Sequence, residues 1–130
     1  MSTTSSTVFQ SDVSPYGILG GDHFALNCAR DPLDQLAAAA GLTSLLAFES
    51  YEPEDFDGLL DEETQAQQPP AKWFAPADGL AAVGALLAYL DAHPGALPQQ
   101  VGVRKDLVEA EDELRSAERA GVRFRFAVIN

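Results

Sequence analysis

The segment at residues 76–92 constrains the fold most, because apolar residues lie on nearly every side of the helix that it predicts. Pro76 suits the first turn, Asp78 lies near the positive end of the helix dipole, and His93-Pro94-Gly95 provides the stop. The large apolar residues are Leu80, Val83, Leu86, Leu87, Tyr89 and Leu90. A helix that is apolar all round needs cover on every side. It therefore lies deep in the fold, or one side of it contacts a second copy in a homodimer.

A second long helix is predicted at residues 104–120, with an apolar stripe on one face only. The stripe consists of Leu107, Ala110, Leu114 and Ala117, while Glu109, Glu113 and Arg119 lie elsewhere. Gly121 is the expected C-terminal cap. Because a short connection joins the two helices, we expect them to form an antiparallel hairpin.

Strand-like alternation in two segments, with a short candidate strand in a third, suggests a sheet. Residues 122–129 alternate with one apolar face, residues 24–28 alternate over a shorter span, and residues 7–10 form a short candidate strand. The mainly apolar segment 42–50 predicts an interior strand. We expect the last strand, at residues 122–129, to pair with residues 42–49 of it. Between the candidate strands at residues 24–28 and 42–50, Asp31 and Pro32 mark the start of a helix and Gly41 its end. If these two strands pair in parallel, they form a right-handed βαβ unit with this helix.

These elements predict a single small α+β domain over residues 8–130. It has a mixed sheet of three or four strands with helices mainly on one face. The Ser/Thr-rich residues 1–7 are expected to be a flexible tail, and residues 51–70 an acidic surface loop that projects from the domain.

The acidic loop is the sharpest chemical feature. Residues 52–63 contain seven carboxylates and no basic residue, and supply more than half of the net charge of −12. The run from Asp55 to Gly58 resembles the middle of a calcium-binding EF-hand loop, but the register places Pro53 and Thr64 where a carboxylate and a bidentate Glu are required. Two interpretations of the acidic loop remain: a solvated loop without a binding role, and a docking surface for a basic partner protein. The docking surface would consist of Tyr51, Glu52, Glu54, Asp55, Phe56, Asp57, Asp61 and Trp73.

Charge and composition exclude several classes of partner. Twenty acidic residues against eight Lys and Arg would repel phosphate backbones and anionic lipids, so neither nucleic acid nor a membrane is an expected partner. No apolar run approaches the roughly 20 residues that cross a bilayer, and the first residues lack the pattern of a signal peptide. We therefore expect a cytoplasmic protein. High Ala and a preference for Arg over Lys suit a GC-rich bacterial genome.

Catalytic and cofactor signatures are weak, and we expect no catalytic residue, no cofactor and no metal site. Asp22, His23 and Cys28 are the only cluster that resembles a nucleophile site. On a strand, His23 and Cys28 would point to opposite faces, so we expect a surface histidine and a buried structural thiol. Gly20-Gly21 lacks the spacing of a phosphate-binding loop.

Three functional hypotheses follow. The first is a non-catalytic protein-binding module, of the inhibitor or immunity type, for a basic partner. The second is a small enzyme or ligand-binding domain with a pocket near Asp22, His23 and Tyr51. The third is a structural module that forms oligomers through the helix at residues 76–92.

Overall fold

The sheet has three strands in the part of the chain that the structure describes. The computed structural model describes residues 4–13, 15–51 and 71–129. The strands are β1 (Thr4–Val13), β2 (Gly17–Leu19) and β3 (Phe124–Ile129), in the order β2-β1-β3. Both pairs are antiparallel, and β1 aligns with β3 from Thr4 opposite Ile129 to Phe9 opposite Phe124. The first and last described strands are therefore neighbours.

Within the described ranges, four α-helices and one short 3-10 helix accompany the sheet. They are α1 (Phe24–Cys28), α2 (Arg30–Ala40), the 3-10 helix (Leu45–Phe48), α3 (Pro76–Ala92) and α4 (Gln100–Ala120). The predicted α+β class is thus confirmed. Gly41 and Gly121 end α2 and α4 in the left-handed conformation, as their positions in the sequence predicted.

The predicted helical hairpin is also confirmed. α3 has the predicted bounds, while α4 begins four residues earlier than predicted, at Gln100. Arg104 Nε donates to Asp91 Oδ1 at 2.7 Å, which joins the end of α3 to the start of α4. All four residues of the predicted apolar stripe of α4 are fully buried. Packing of this stripe, rather than surface ion pairs, therefore holds the helix.

The core forms where the hairpin meets the sheet. Phe124 on β3 is fully buried and packs so closely on α3 that a Cβ at Gly79 would collide with its ring. The Phe48 ring lies 5.5 Å from that of Phe124 and 6.2 Å from that of Phe126, measured between centroids. The helices therefore pack on the sheet face that carries Phe124 and Phe126.

Residues 24–28 form the short helix α1, so the predicted strand is wrong. Its alternation is too short to separate a period of two from a period of 3.6. The buried residues Leu26, Ala29, Leu33 and Ala37 continue one helical stripe through α1 and α2. The stripe, rather than the local alternation, determines the structure.

Segment 42–50 also differs from its prediction. Leu45–Phe48 form the 3-10 helix, and the Ser44 hydroxyl accepts a hydrogen bond from Leu46 N at 3.2 Å. The described sheet is consequently antiparallel rather than mixed, and no βαβ unit forms within it. β3 pairs with β1, and its sheet pairing with segment 42–50 is limited to an isolated bridge between Glu49 and Phe126.

The predicted flexible tail is corrected for residues 4–7, which belong to β1. Ser6 and Thr7 are buried, because their strand lies between β2 and β3. Residues 1–3 lie outside the described part of the chain. So does nearly all of the predicted acidic loop, of which only Tyr51 is described.

Most of the apolar surface of α3 is covered within one chain. Val83, Leu86, Leu87 and Leu90 are buried against the rest of the domain. Ala77, Ala81, Ala88 and Ala92 face solvent. The homodimer through α3 stays a prediction.

Candidate functional site

His23 occupies a fixed position where β1, α1 and α4 meet. It directly precedes α1, and its backbone N–H donates to Ser5 O on β1 at 2.9 Å. The residue is only 1% exposed. The prediction of a surface histidine is therefore wrong, because pairing with β1 draws the ring into the interior.

Glu113 holds one side of the His23 ring. Glu113 Oε1 lies 2.8 Å from His23 Nε2 and accepts a second hydrogen bond from Thr7 Oγ1 at 3.0 Å. Oε2 accepts from the backbone N–H of Gly21 at 2.6 Å. An ionised carboxylate can only accept, so the proton of this His–Glu hydrogen bond lies on Nε2.

Gly20 allows the loop before His23 to approach this carboxylate. A Cβ at position 20 would collide with the Glu113 carboxyl group. A larger residue would force the carboxylate or the loop to move. The Gly20-Gly21 pair thus lets the backbone come close to the buried Glu113 side chain.

The other ring nitrogen of His23 faces two further carboxylates of α4. Nδ1 lies 4.0 Å from Asp106 Oδ1 and 3.7 Å from Glu109 Oε2. Both distances exceed the length of a hydrogen bond, and this buried nitrogen has no hydrogen-bond partner. We call His23, Asp106, Glu109 and Glu113 the His23 cluster.

The two facing carboxylates differ in exposure and in hydrogen bonding. Asp106 is largely buried, and its Oδ2 accepts from Leu26 N in the first turn of α1 at 2.9 Å. Its other oxygen is thereby directed at His23. The Glu109 side chain is 48% exposed, so it connects the cluster to solvent.

The charges of the cluster raise the pKa of His23 above its ordinary value. Desolvation by burial is the largest single influence and lowers the pKa. The hydrogen bond to Glu113 and the negative charges of Glu113, Asp106 and Glu109 together outweigh it. The cluster therefore favours a positive charge at or next to the ring.

A small cavity lies beside the His23 ring. Its volume of about 30 Å³ suits about one or two water molecules. It is lined by Ser5, Ser6, His23, Leu26, Arg30, Leu33, Asp34, Ser44, Leu45, Leu46, Glu49 and Phe126. Asp22 and Tyr51, although both are described, do not line it. Of the three residues of the predicted pocket, this cavity thus includes His23 alone, and the pocket near Asp22, His23 and Tyr51 stays a prediction.

Cys28 is exposed rather than buried. The expected burial followed from its shared parity with Phe24 and Leu26 on a strand. In the helix α1, Leu26 faces the core while Phe24 and Cys28 face solvent. His23 and Cys28 stand at opposite ends of this helix.

The residues on either side of the acidic segment, Ser50 and Lys72, are in contact. Lys72 N donates to Ser50 Oγ at 2.7 Å, and Arg125 Nη1 donates to Ser50 O at 2.7 Å. The guanidinium of Arg125 also lies 5.1 Å from the centre of the Trp73 ring, in a cation–π contact. β3 therefore anchors the segment at its base.

The predicted docking residues are described only in part. The hydroxyl of Tyr51 donates to Glu49 Oε1 at 3.1 Å and accepts from Val128 N at 3.1 Å. Trp73 is half-buried. The other predicted residues, Glu52, Glu54, Asp55, Phe56, Asp57 and Asp61, lie outside the described residues.

The sequence interpretation missed the three carboxylates of the His23 cluster. Asp106, Glu109 and Glu113 are spaced at i, i+3 and i+7, so they share one face of α4. That spacing was an available signal. Nothing in the local pattern indicated that His23, more than 80 residues earlier, would face it.

Comparisons with protein-family models, with curated proteins and with solved structures found no match to this chain. Among the described residues, no helix is both long and apolar enough to cross a membrane.

Proposed function

We propose that this domain is a protein-binding module, of the inhibitor or immunity type, whose acidic segment docks onto a basic partner protein. The observation that carries the proposal is the hydrogen bond from Lys72 N to Ser50 Oγ, at 2.7 Å, which closes the base of the segment. Ser50 and Lys72 flank the run of seven carboxylates in the sequence, and this bond brings the two flanking residues together.

Seven carboxylates with no basic residue among them give this segment a dense negative charge. Complementary charge raises association rates by steering the encounter, and salt screens the effect. The proposed contact surface consists of Tyr51, Glu52, Glu54, Asp55, Phe56, Asp57, Asp61 and Trp73. The aromatic members would supply contact area at a low entropic cost.

A charge-matched pair of triple variants tests this proposal. One variant replaces Glu54, Asp55 and Asp57 by Gln, Asn and Asn. Its control makes the same changes at three exposed carboxylates elsewhere, Asp31, Asp112 and Glu118. Association with a lysine-rich probe protein is followed by surface plasmon resonance at 0.05 M and 0.5 M salt.

We expect the first variant to associate more slowly than the control at low salt, with the difference vanishing at high salt. Thermal stability should be nearly unchanged in both variants, because exposed like charges contribute little to the fold. Equal association by the two variants would show that only net charge matters. Unfolding of the first variant alone would assign the carboxylates a structural role.

The homodimer through α3 is a separate prediction. Sedimentation at tens of micromolar protein should give twice the monomer mass. A monomer would show that the alanine-rich outer face of α3 is stable in contact with water.

A further inference from the structure

Nδ1 of His23 is a buried polar atom that the fold orients but does not pair. A buried polar group without a partner destabilises the fold, so such atoms in proteins have a partner from the chain or from a bound species. The nitrogen is not exposed to solvent, and its nearest charged neighbours are the Asp106 and Glu109 carboxylates.

The direction of the His–Glu hydrogen bond determines what Nδ1 can accept. Because Nε2 donates to Glu113, a neutral His23 presents the lone pair of Nδ1 to two carboxylate oxygens. Three electron-rich atoms then face one another. A proton on Nδ1 would supply positive charge, but 3.7 and 4.0 Å are too long for direct hydrogen bonds.

We propose that His23 Nδ1, Asp106 Oδ1 and Glu109 Oε2 bind one divalent transition-metal cation of the zinc class. One ligand atom from each of these three residues lies within 4.8 Å of the other two. Bonds of about 2.0–2.2 Å in a tetrahedral arrangement separate ligand atoms by about 3.4 Å. The half-exposed Glu109 side chain can close its own distance of 3.7 Å to Nδ1, and the 4.0 Å between Nδ1 and Asp106 Oδ1 closes by a shift of about 0.6 Å of the ring or the carboxylate when the cation binds.

The surroundings match those of metal-binding histidines. Such a histidine usually donates its second ring N–H to a carboxylate, which fixes the ring and strengthens the ligand. Glu113 provides this contact to His23, and Leu26 N orients Asp106 in the same way. Two of the three ligands are therefore held in place before the cation arrives.

The ligand set favours a transition metal over calcium or magnesium. An imidazole nitrogen suits zinc, iron or copper, whereas calcium and magnesium take oxygen ligands. Because Glu109 lies at the surface, the fourth coordination position is open to water. This arrangement is typical of an exchangeable site rather than a closed structural one.

Calorimetric titration with Zn²⁺ tests the site in the full chain, first stripped of metal with a chelator. The key variant is Glu109→Gln, because the half-exposed side chain can be changed without unfolding the protein. Glu118→Gln is its control, with the same change of charge on an exposed position of the same helix. Thermal midpoints in chelator verify that both variants fold.

We expect one Zn²⁺ per chain. Changes in the surroundings of a metal ligand weaken binding about 10–100-fold, so removing the ligand Glu109 should cost at least about tenfold. Glu118→Gln should bind like the wild type. Equal affinities for the two variants would overturn the assignment, since zinc would then bind the acidic surface at large. Tighter binding of Ca²⁺ than of Zn²⁺ would also overturn it.

Discussion

Replacement of Glu113 by Gln tests the buried part of the His23 cluster, because the two side chains have the same shape. The Gln carbonyl can take the place of Oε1 and accept from His23 and Thr7. Its amide group then faces the backbone N–H of Gly21, where the carboxylate oxygen accepts at 2.6 Å. Two donors cannot bond each other. The variant loses a hydrogen bond to a charged group and leaves a buried donor unsatisfied, at a cost of about 2–3 kcal/mol.

The assay is thermal unfolding of the metal-free protein at pH 7, with Glu118→Gln as the control for lost charge. In a chain of this length about 1 kcal/mol corresponds to roughly 4 °C, so we expect the midpoint of Glu113→Gln to fall by about 8–12 °C. The control should change the unfolding free energy by less than about 0.5 kcal/mol. A Glu113→Gln midpoint close to that of the wild type would refute the reasoning, since Gly21 would not then depend on the carboxylate.

Three further predictions concern the core, the thiol and the buried histidine. Leu114→Ala should destabilise the fully buried apolar stripe of α4 by about 2–5 kcal/mol in urea unfolding, and an unchanged midpoint would contradict the hairpin packing. Exposed Cys28 should react readily with a maleimide in the native state, and protection until unfolding would contradict its position on α1. Because the pKa of His23 is raised in the fold, its stabilising contribution is complete below about pH 6.5 and is lost as the pH rises through the folded value. The free energy of unfolding of the metal-free protein should therefore fall as the pH rises above about 6.5. The same pH dependence in the wild type and in Glu113→Gln would contradict this prediction.

The long periodic elements could be predicted from the sequence because their signals repeat. The bounds of α3 follow from Pro76 at its start and His93-Pro94-Gly95 at its end. β3 follows from six residues of alternation with two large aromatic side chains on one face. For α3 and β3, the local propensity and the pattern of buried residues predict the same secondary structure. Tertiary contacts therefore do not change it.

Short segments were predicted less well because tertiary contacts decide them. The five residues 24–28 fit both the period of two of a strand and the period of 3.6 of a helix. The helix is stabilised by Asp106, which accepts a hydrogen bond from the N–H of Leu26 although the two residues are 80 positions apart. The site shows the same limit. The i, i+3, i+7 carboxylates are visible in the sequence, but only the pairing of His23 with Ser5 brings the ring to them.

Nitrogen NMR of the His23 ring tests the central claim, that Glu113 holds Nε2 while Nδ1 is directed at Asp106 and Glu109. The chain has two histidines, and His93 is exposed, so it provides an internal reference. In the metal-free protein the account predicts a protonated Nε2 that exchanges slowly with solvent. With Zn²⁺, the Nδ1 signal of His23 should shift by an amount typical of metal coordination, while Nε2 keeps its proton. A zinc-induced shift at Nε2, or at His93 alone, would contradict the account.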